Sequence, residues 1–165
     1  MKDEILSTTK HYNMADIIHR IGIRKSRKEV FHALSTIQGL AGWWTEETEG
    51  EEEVGGKIEF TFRTDTGEVK GKMVMQVEKL DADVLVGWRC VDGPPEWIGT
   101  ELTFDISEQD GQSIVLFGHR KWKEANDFMA HCSMKWAVFL LSLREYVETG
   151  KGRPSPKDVK IDNWN

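Results

Sequence analysis

The side chains best suited to chemistry in this sequence are His119 and Cys132. His119 follows Val115 and Phe117 at every second position, so strand alternation places it on the same face as these two apolar residues. Because the unperturbed pKa of histidine lies near neutrality, His119 is a weak candidate for acid–base catalysis or for orienting the polar end of a ligand. The alternative, which we favour, is a structural histidine that is hydrogen-bonded at a cavity rim or packed under Trp122.

Cys132 is a candidate nucleophile only if a base lies beside it, and its position on an apolar helical stripe favours a packed thiol instead. Cys90 is the other cysteine, far away in sequence. A disulfide between the two is one alternative, but buried free thiols are expected in a cytoplasmic chain. The five histidines are scattered and no glycine-rich phosphate loop is present, so we predict neither a metal site nor a cofactor.

Six glutamates fall within the eight residues 46–53. A cation site or a surface for a basic partner is one interpretation, but the run lacks the Asp/Asn–Gly alternation of a calcium loop. We therefore predict a solvated acidic loop. Just before it, Trp43 and Trp44 end a short helical segment. We expect one of them to be anchored in the core and the other to be more exposed.

These residues must be positioned by a series of strands that precedes one long helix. Alternating apolar residues predict a first strand over residues 16–24. The sequence Ser26-Arg-Lys-Glu29 is a capping box that begins a short helix, and a second short helix is predicted over residues 36–44. About five further antiparallel strands are predicted between residues 54 and 121, because apolar and polar residues alternate there between turn signals.

The long helix is predicted over residues 127–149, which contain no glycine or proline. Its apolar stripe recurs at the helical period, and Gly150 is expected to end it. The stripe consists of Cys132, Trp136, Leu140, Leu143 and Val147. The chain is therefore predicted to be α+β, with a curved antiparallel sheet of about six strands, two short helices after strand 1, and a long C-terminal helix packed across the sheet.

A cavity between this helix and the sheet is the predicted ligand site. Methionine and aromatic side chains suit an adaptable apolar pocket, although a fully packed core would contain them as well. On β alternation, Lys70 is predicted to face away from this cavity, opposite Met73. The predicted ligand-binding residues are Phe60, Phe62, Met73, Met75, Trp88, Phe117, His119, Met129, Cys132, Ser133 and Trp136.

The bulk properties exclude several classes of protein. A net charge of −6 disfavours binding to nucleic acid or to anionic membranes, and no apolar run approaches the roughly 18 residues of a membrane span. The first residues lack the apolar core of a signal peptide, so a cytoplasmic location is expected. We predict a loose extension over residues 1–13, a single domain over residues 14–150 and a tail over residues 151–165.

The order of elements resembles the helix-grip fold of the START-like (SRPBCC, birch-allergen-like) superfamily. Within it, the chain is similar to the family named for the C-terminal domain of the activator of the 90-kDa heat-shock protein ATPase. The resemblance covers roughly residues 15–150 and is specific for the fold rather than for a function. The residues that carry it are Ser26-Arg-Lys-Glu-Val-Phe-His-Ala-Leu34, Leu40-Ala-Gly-Trp-Trp44, Val54-Gly-Gly56, Val115-Leu-Phe-Gly-His119, and Trp136 through Leu143-Arg-Glu-Tyr-Val-Glu-Thr-Gly150.

Three alternative functions remain open. The first is non-catalytic binding of a small hydrophobic or amphipathic ligand, such as a lipid, in the cavity between sheet and helix; it is indicated by the wide apolar stripes of sheet and helix and by the absence of a convergent catalytic set. The second is an interaction module of the stress response that activates a chaperone ATPase. The third is a cyclase- or aromatase-like enzyme that uses His119 as its acid or base. Helix-grip domains can pair through exposed sheet or helix surfaces, so a homodimer is one alternative for the oligomeric state, which the sequence leaves open.

Overall fold

A seven-stranded antiparallel sheet forms the body of the protein, one strand more than the sequence predicts. The computed structural model describes residues 15–165, so the extension predicted for residues 1–13 lies outside the described residues. Along the sheet the strand order is β1-β7-β6-β5-β4-β3-β2, which makes β1 and β2 the two edges. The strands are β1 (Ala15–Ile23), β2 (Glu47–Gly50), β3 (Lys57–Arg63), β4 (Val69–Asp81), β5 (Leu85–Asp92), β6 (Glu101–Gln109) and β7 (Gln112–Trp122).

The additional strand, β2, lies inside the glutamate-rich run, where the prediction of a loop was wrong for four residues. Its backbone pairs with β3, so that Glu47 lies opposite Thr61 and Gly50 opposite Ile58. Charged side chains are tolerated here because β2 is an edge strand, and charges on an edge discourage pairing with other chains. Arg63 of β3 reinforces the pairing through two hydrogen bonds to the carboxylate of Glu47, at 2.5 and 3.0 Å.

Two short helices connect β1 to β2, as predicted: α1 (Arg27–Ser35) and α2 (Ile37–Trp43). The capping box at the start of α1 is confirmed, since Ser26 and Glu29 exchange side-chain and backbone hydrogen bonds. The expectation that one of the two tryptophans ending α2 is exposed was wrong, because Trp43 and Trp44 are both buried. The Trp43 indole donates to a carbonyl of α1, and the Trp44 ring stacks on the sheet 5.9 Å from that of Trp88.

The long helix, α3 (Asp127–Thr149), has the bounds that the sequence predicts. Asn126 caps it by accepting a hydrogen bond from the backbone N–H of Met129, and Gly150 ends it with φ of 87°, a conformation that favours glycine. Its buried face packs on the sheet through Cys132, Trp136, Phe139, Leu140, Ser142 and Leu143. Within the described residues, no helix is both long and apolar enough to span a membrane.

Residues 151–165, here termed the C-terminal segment, run back along α3 instead of leaving the domain. Near its start, Ser155 forms a parallel β-bridge with Thr45. Further along, Asp158 is buried and forms an ion pair with Lys135 of α3. Because backbone and side-chain contacts both tie it down, this segment covers the side of α3 that lies next to β3 and β4.

Candidate ligand-binding site

A cavity of about 230 Å³ lies between α3 and the sheet, at the end where β3 meets β4. The β5–β6 connection forms a second wall and the C-terminal segment a third. Aromatic and other apolar side chains dominate its lining: Trp44, Phe62, Met73, Pro94, Trp97, Phe128, Cys132, Trp136, Phe139 and Trp164. The remaining lining residues are Lys70, Gly71, His131, Lys135, Ser155, Asp158 and Asn165.

Four of the eleven residues predicted from the sequence line this cavity: Phe62, Met73, Cys132 and Trp136. The other seven lie outside the lining. Five are packed in the core with at most 2% of their surface exposed, namely Phe60, Met75, Trp88, Phe117 and His119. Met129 packs against the core from the partly buried side of α3, and the Ser133 hydroxyl is hydrogen-bonded to His19.

An aromatic cluster fills the space that strand alternation alone assigns to the pocket. The Trp44 ring enters from α2 and lies 4.3 Å from that of Phe60 and 5.0 Å from that of Trp136. The Trp136 ring in turn lies 4.5 Å from that of Phe117. Because these rings occupy the centre of the gap beneath α3, the open space is displaced toward β3, β4 and the C-terminal segment.

His119 is held by hydrogen bonds on both ring nitrogens. The Trp136 indole N–H donates to Nδ1 at 3.1 Å, so the hydrogen-bond network places the proton of the neutral ring on Nε2. Nε2 lies 2.8 Å from the Thr100 hydroxyl, which donates onward to the carbonyl of Trp97. Burial lowers the pKa of His119 to about 3. The geometry therefore matches the structural alternative, and it offers no free nitrogen for acid–base chemistry.

Neither cysteine has the environment of a reactive thiol. Cys90 and Cys132 are both buried and free. Burial raises the pKa of Cys132 to about 12, although the indole N–H of Trp97 opposes this shift, and burial raises the pKa of Cys90 to about 11. Among residues 15–165, no cluster of His, Cys, Asp and Glu has the arrangement of a metal site.

Trp97, in the β5–β6 connection, carries a buried donor without a strong acceptor. Its ring stacks on that of Trp136 at 5.9 Å, meets the His119 ring edge-on at 4.6 Å, and is only 5% exposed. Within residues 15–165, its indole N–H has no nitrogen or oxygen acceptor, and the nearby Cys132 sulfur is its weak partner. The indole nitrogen is itself buried, so this N–H does not face the open space of the cavity.

Three basic side chains line the cavity. Two of them are paired with the C-terminal segment: Lys135 with Asp158, and His131 Nδ1 with Asp162 at 2.7 Å. Lys70 differs, because it is exposed and forms no ion pair or side-chain hydrogen bond within the part of the chain that the structure describes. This lysine is the unpaired positive charge of the cavity lining.

A β-bulge explains why Lys70 lines the cavity although simple alternation predicts the opposite face. Phe62 lies opposite Gly71, but the next residue of β3, Arg63, lies opposite Val69. Lys70 is therefore an extra residue in β4, and bulges of this kind redirect side chains. From sequence, the only available signal was the interruption of the apolar alternation at Gly71.

Trp97 and the C-terminal segment were also missed as parts of the site. The Pro94-Pro95 pair marked a tight connection, and the large aromatic residue directly after it was the signal that a wall lies there. Nothing in the pattern of residues 151–165 indicated that they pack against α3.

The family of the chain follows from a comparison with known proteins. Residues 24–148 match the family described as activator of Hsp90 ATPase homolog 1-like protein. The chain belongs to this family. Consistent with that, it is 41% identical to the Aha1 protein of Colwellia psychrerythraea, whose solution structure is described as a dimer. The match covers 84% of this chain and 100% of that one, with a TM-score of 0.72.

More distant solved structures share the fold. A protein of Staphylococcus saprophyticus is 18% identical over 86% of this chain and 98% of its own, with a TM-score of 0.65. CalU16 from Micromonospora echinospora is 14% identical over 83% of this chain and 78% of its own, with a TM-score of 0.62. These likenesses support the helix-grip architecture. No curated protein matches the chain significantly.

Proposed function

We propose that this family member binds a small hydrophobic or amphipathic molecule in the cavity between α3 and the sheet. The observation that carries the proposal is an apolar cavity of about 230 Å³ in a domain whose core is otherwise filled by large aromatic side chains. A cavity of about 150 Å³ holds benzene, so this one suits a ligand on the order of ten non-hydrogen atoms.

The absence of a side chain at Gly71 leaves part of the cavity volume open. A Cβ atom at this position would meet no heavy atom within 4 Å, and the glycine lines the cavity on the inner side of β4. Its backbone does not need positive φ, so a larger residue is conformationally acceptable there. A strand interior gains stability from a larger side chain, and the absence of one here favours a binding cavity over simple core packing.

The experiment compares binding of hydrocinnamyl alcohol, a neutral aromatic probe of suitable size, to the wild type and to Gly71→Leu. Isothermal titration calorimetry measures affinity directly, and tryptophan fluorescence reports on the four indoles of the lining. We expect the leucine to occupy the cavity and to weaken binding about tenfold or more, while the protein stays folded.

Val69→Leu is the matched control, because it places the same side chain on the same strand at an exposed position outside the lining. Its affinity should equal that of the wild type. Equal affinity of the Gly71→Leu variant, or no saturable signal with any small aromatic or aliphatic alcohol, would show that the cavity is not a binding site.

A second candidate function is activation of a chaperone ATPase. It is favoured by the family description and by 41% identity to a protein named Aha1. The test measures ATP turnover by the 90-kDa heat-shock protein with and without the chain. Stimulation that survives Gly71→Leu would assign the activity to the surface and not to the cavity. Unchanged turnover together with no detectable complex would reject it.

We also propose that the chain assembles as a homodimer. The Colwellia relative is described as a dimer, and α3 presents an exposed apolar stripe through Met134 and Leu141, next to exposed Val159. Analytical ultracentrifugation of the wild type and of Leu141→Glu tests this surface. A dimer that the glutamate converts to a monomer supports it, and a wild-type monomer at all concentrations contradicts it.

A further inference from the structure

Lys70 is a cation of the cavity lining with no counter-ion among the described residues. The residue is exposed, so its ammonium group is accessible to a ligand at the cavity. Because a cation is best paired with an anion, this side chain favours an anionic ligand.

The charges of the lining also favour an anionic ligand. Three permanently charged side chains line the cavity: Lys70, Lys135 and Asp158. Lys135 and Asp158 form an ion pair with each other, which leaves the single positive charge of Lys70. The His131 imidazole is already hydrogen-bonded to Asp162. An anion that enters the cavity therefore meets one uncompensated cation.

The surroundings of Lys70 make an anionic ligand more favourable still. Partial burial lowers the pKa of Lys70, and the positive charges of Lys160 and Lys135 act in the same direction, while Asp158 and Asp65 oppose them. A ligand carboxylate would relieve this repulsion and return a charge partner to the ammonium group. The β-bulge supports the assignment independently, since it turns this side chain toward the lining.

On the basis of the proposed function, we infer that the ligand is an amphipathic carboxylate. Its carboxylate pairs with Lys70, and its apolar body lies against the aromatic lining. Alkyl and aryl carboxylates share this chemistry. At about ten non-hydrogen atoms, an arylalkanoate or a medium-chain fatty acid fits the volume.

The test compares hydrocinnamate with hydrocinnamyl alcohol, which differ in the charged head group alone. For the wild type we expect the carboxylate to bind about tenfold more tightly, as a charge-assisted hydrogen bond would provide. Raising the ionic strength from about 0.01 M to about 1 M should weaken binding of the carboxylate and leave that of the alcohol unchanged.

Lys70→Met removes the charge and keeps an apolar stem of similar shape. We expect it to abolish the preference for hydrocinnamate over the alcohol. Lys72→Met is the matched control, because Lys72 lies on the same strand but pairs with Glu59 on the outer face and is absent from the lining. It should keep the tenfold preference.

Failure of this inference and failure of the proposed function give different results. If the alcohol binds in a manner sensitive to Gly71→Leu but the carboxylate shows no preference, the cavity binds ligands and the inferred class is wrong. If neither probe binds, the proposed function itself fails. If Lys70→Met and Lys72→Met weaken the carboxylate equally, the effect is general surface charge, and Lys70 has no specific role.

Discussion

Replacing Trp97 and Trp136 separately by phenylalanine provides a direct test of the hydrogen bonding at the cavity wall. The two indoles stack on each other at 5.9 Å and are similarly buried, with 5% and 2% of their surface exposed. Each substitution therefore removes a similar ring volume. They differ in one respect: the Trp136 N–H donates to Nδ1 of His119, whereas the Trp97 N–H has no nitrogen or oxygen acceptor in the described residues.

The magnitude follows from that difference. Trp136→Phe leaves the fully buried Nδ1 of His119 without a donor, which costs about 1–3 kcal/mol in addition to the lost packing. Trp97→Phe instead removes an unsatisfied N–H and recovers a desolvation penalty of about 1 kcal/mol, the lower limit because the Cys132 sulfur lies near. The free energy of unfolding should therefore be lower in Trp136→Phe than in Trp97→Phe by about 2 kcal/mol or more.

Urea denaturation of the ligand-free variants, followed by circular dichroism, measures the two free energies of unfolding. In a domain of this size, 2 kcal/mol corresponds to a difference in Tm of about 4–8 °C. Equal m-values would show that the comparison is between the same folded and unfolded states. If Trp97→Phe is as destabilising as Trp136→Phe, or more so, then the Trp97 N–H is satisfied in the protein by the Cys132 sulfur.

Three further outcomes are expected. The pKa of His119 is about 3 in the folded protein and about 6.5 in the unfolded chain, so the unfolded state binds more protons between these pH values. The free energy of unfolding should therefore fall by about 1.4 kcal/mol per pH unit from this group as pH falls from about 6 to about 4. The NMR signals of His119 should not titrate above about pH 5. Because burial raises the pKa of Cys132 and Cys90, a thiol reagent at about pH 8 should modify them only on unfolding, and fast labelling of the native protein would contradict this. Asn126→Ala should reduce the free energy of unfolding by about 1 kcal/mol, measured in urea, whereas Asn126→Asp should retain most of the stability as an alternative cap.

Much of the fold could be predicted because its signals are local. The bounds of α3 follow from its apolar period and from Gly150, and the start of α1 follows from the reciprocal bonds of Ser26 and Glu29. Strand β2 was missed because four residues rich in glutamate carry no strand propensity of their own. Their conformation is set by pairing with β3, which is a tertiary interaction.

The candidate site was predicted only in part, for a related reason. Strand alternation identifies which face of the sheet a residue occupies, but not whether another element already fills the space above it. Phe60 and Trp88 face inward as expected, yet the Trp44 ring covers both. Lys70 escaped prediction because a bulge, which depends on how two strands pair, reverses the alternation locally.

The C-terminal segment forms one wall of the cavity, separate from the walls that α3 and the sheet provide. Apart from β1 and the last residue of α3, the helices and strands of the grip lie within residues 24–148, which match the family, whereas one wall comes from Ser155, Asp158 and Trp164, beyond that match. This wall is fastened by a single β-bridge at Thr45 and by ion pairs to α3. Substitutions within this wall can therefore reshape the cavity without disturbing the sheet.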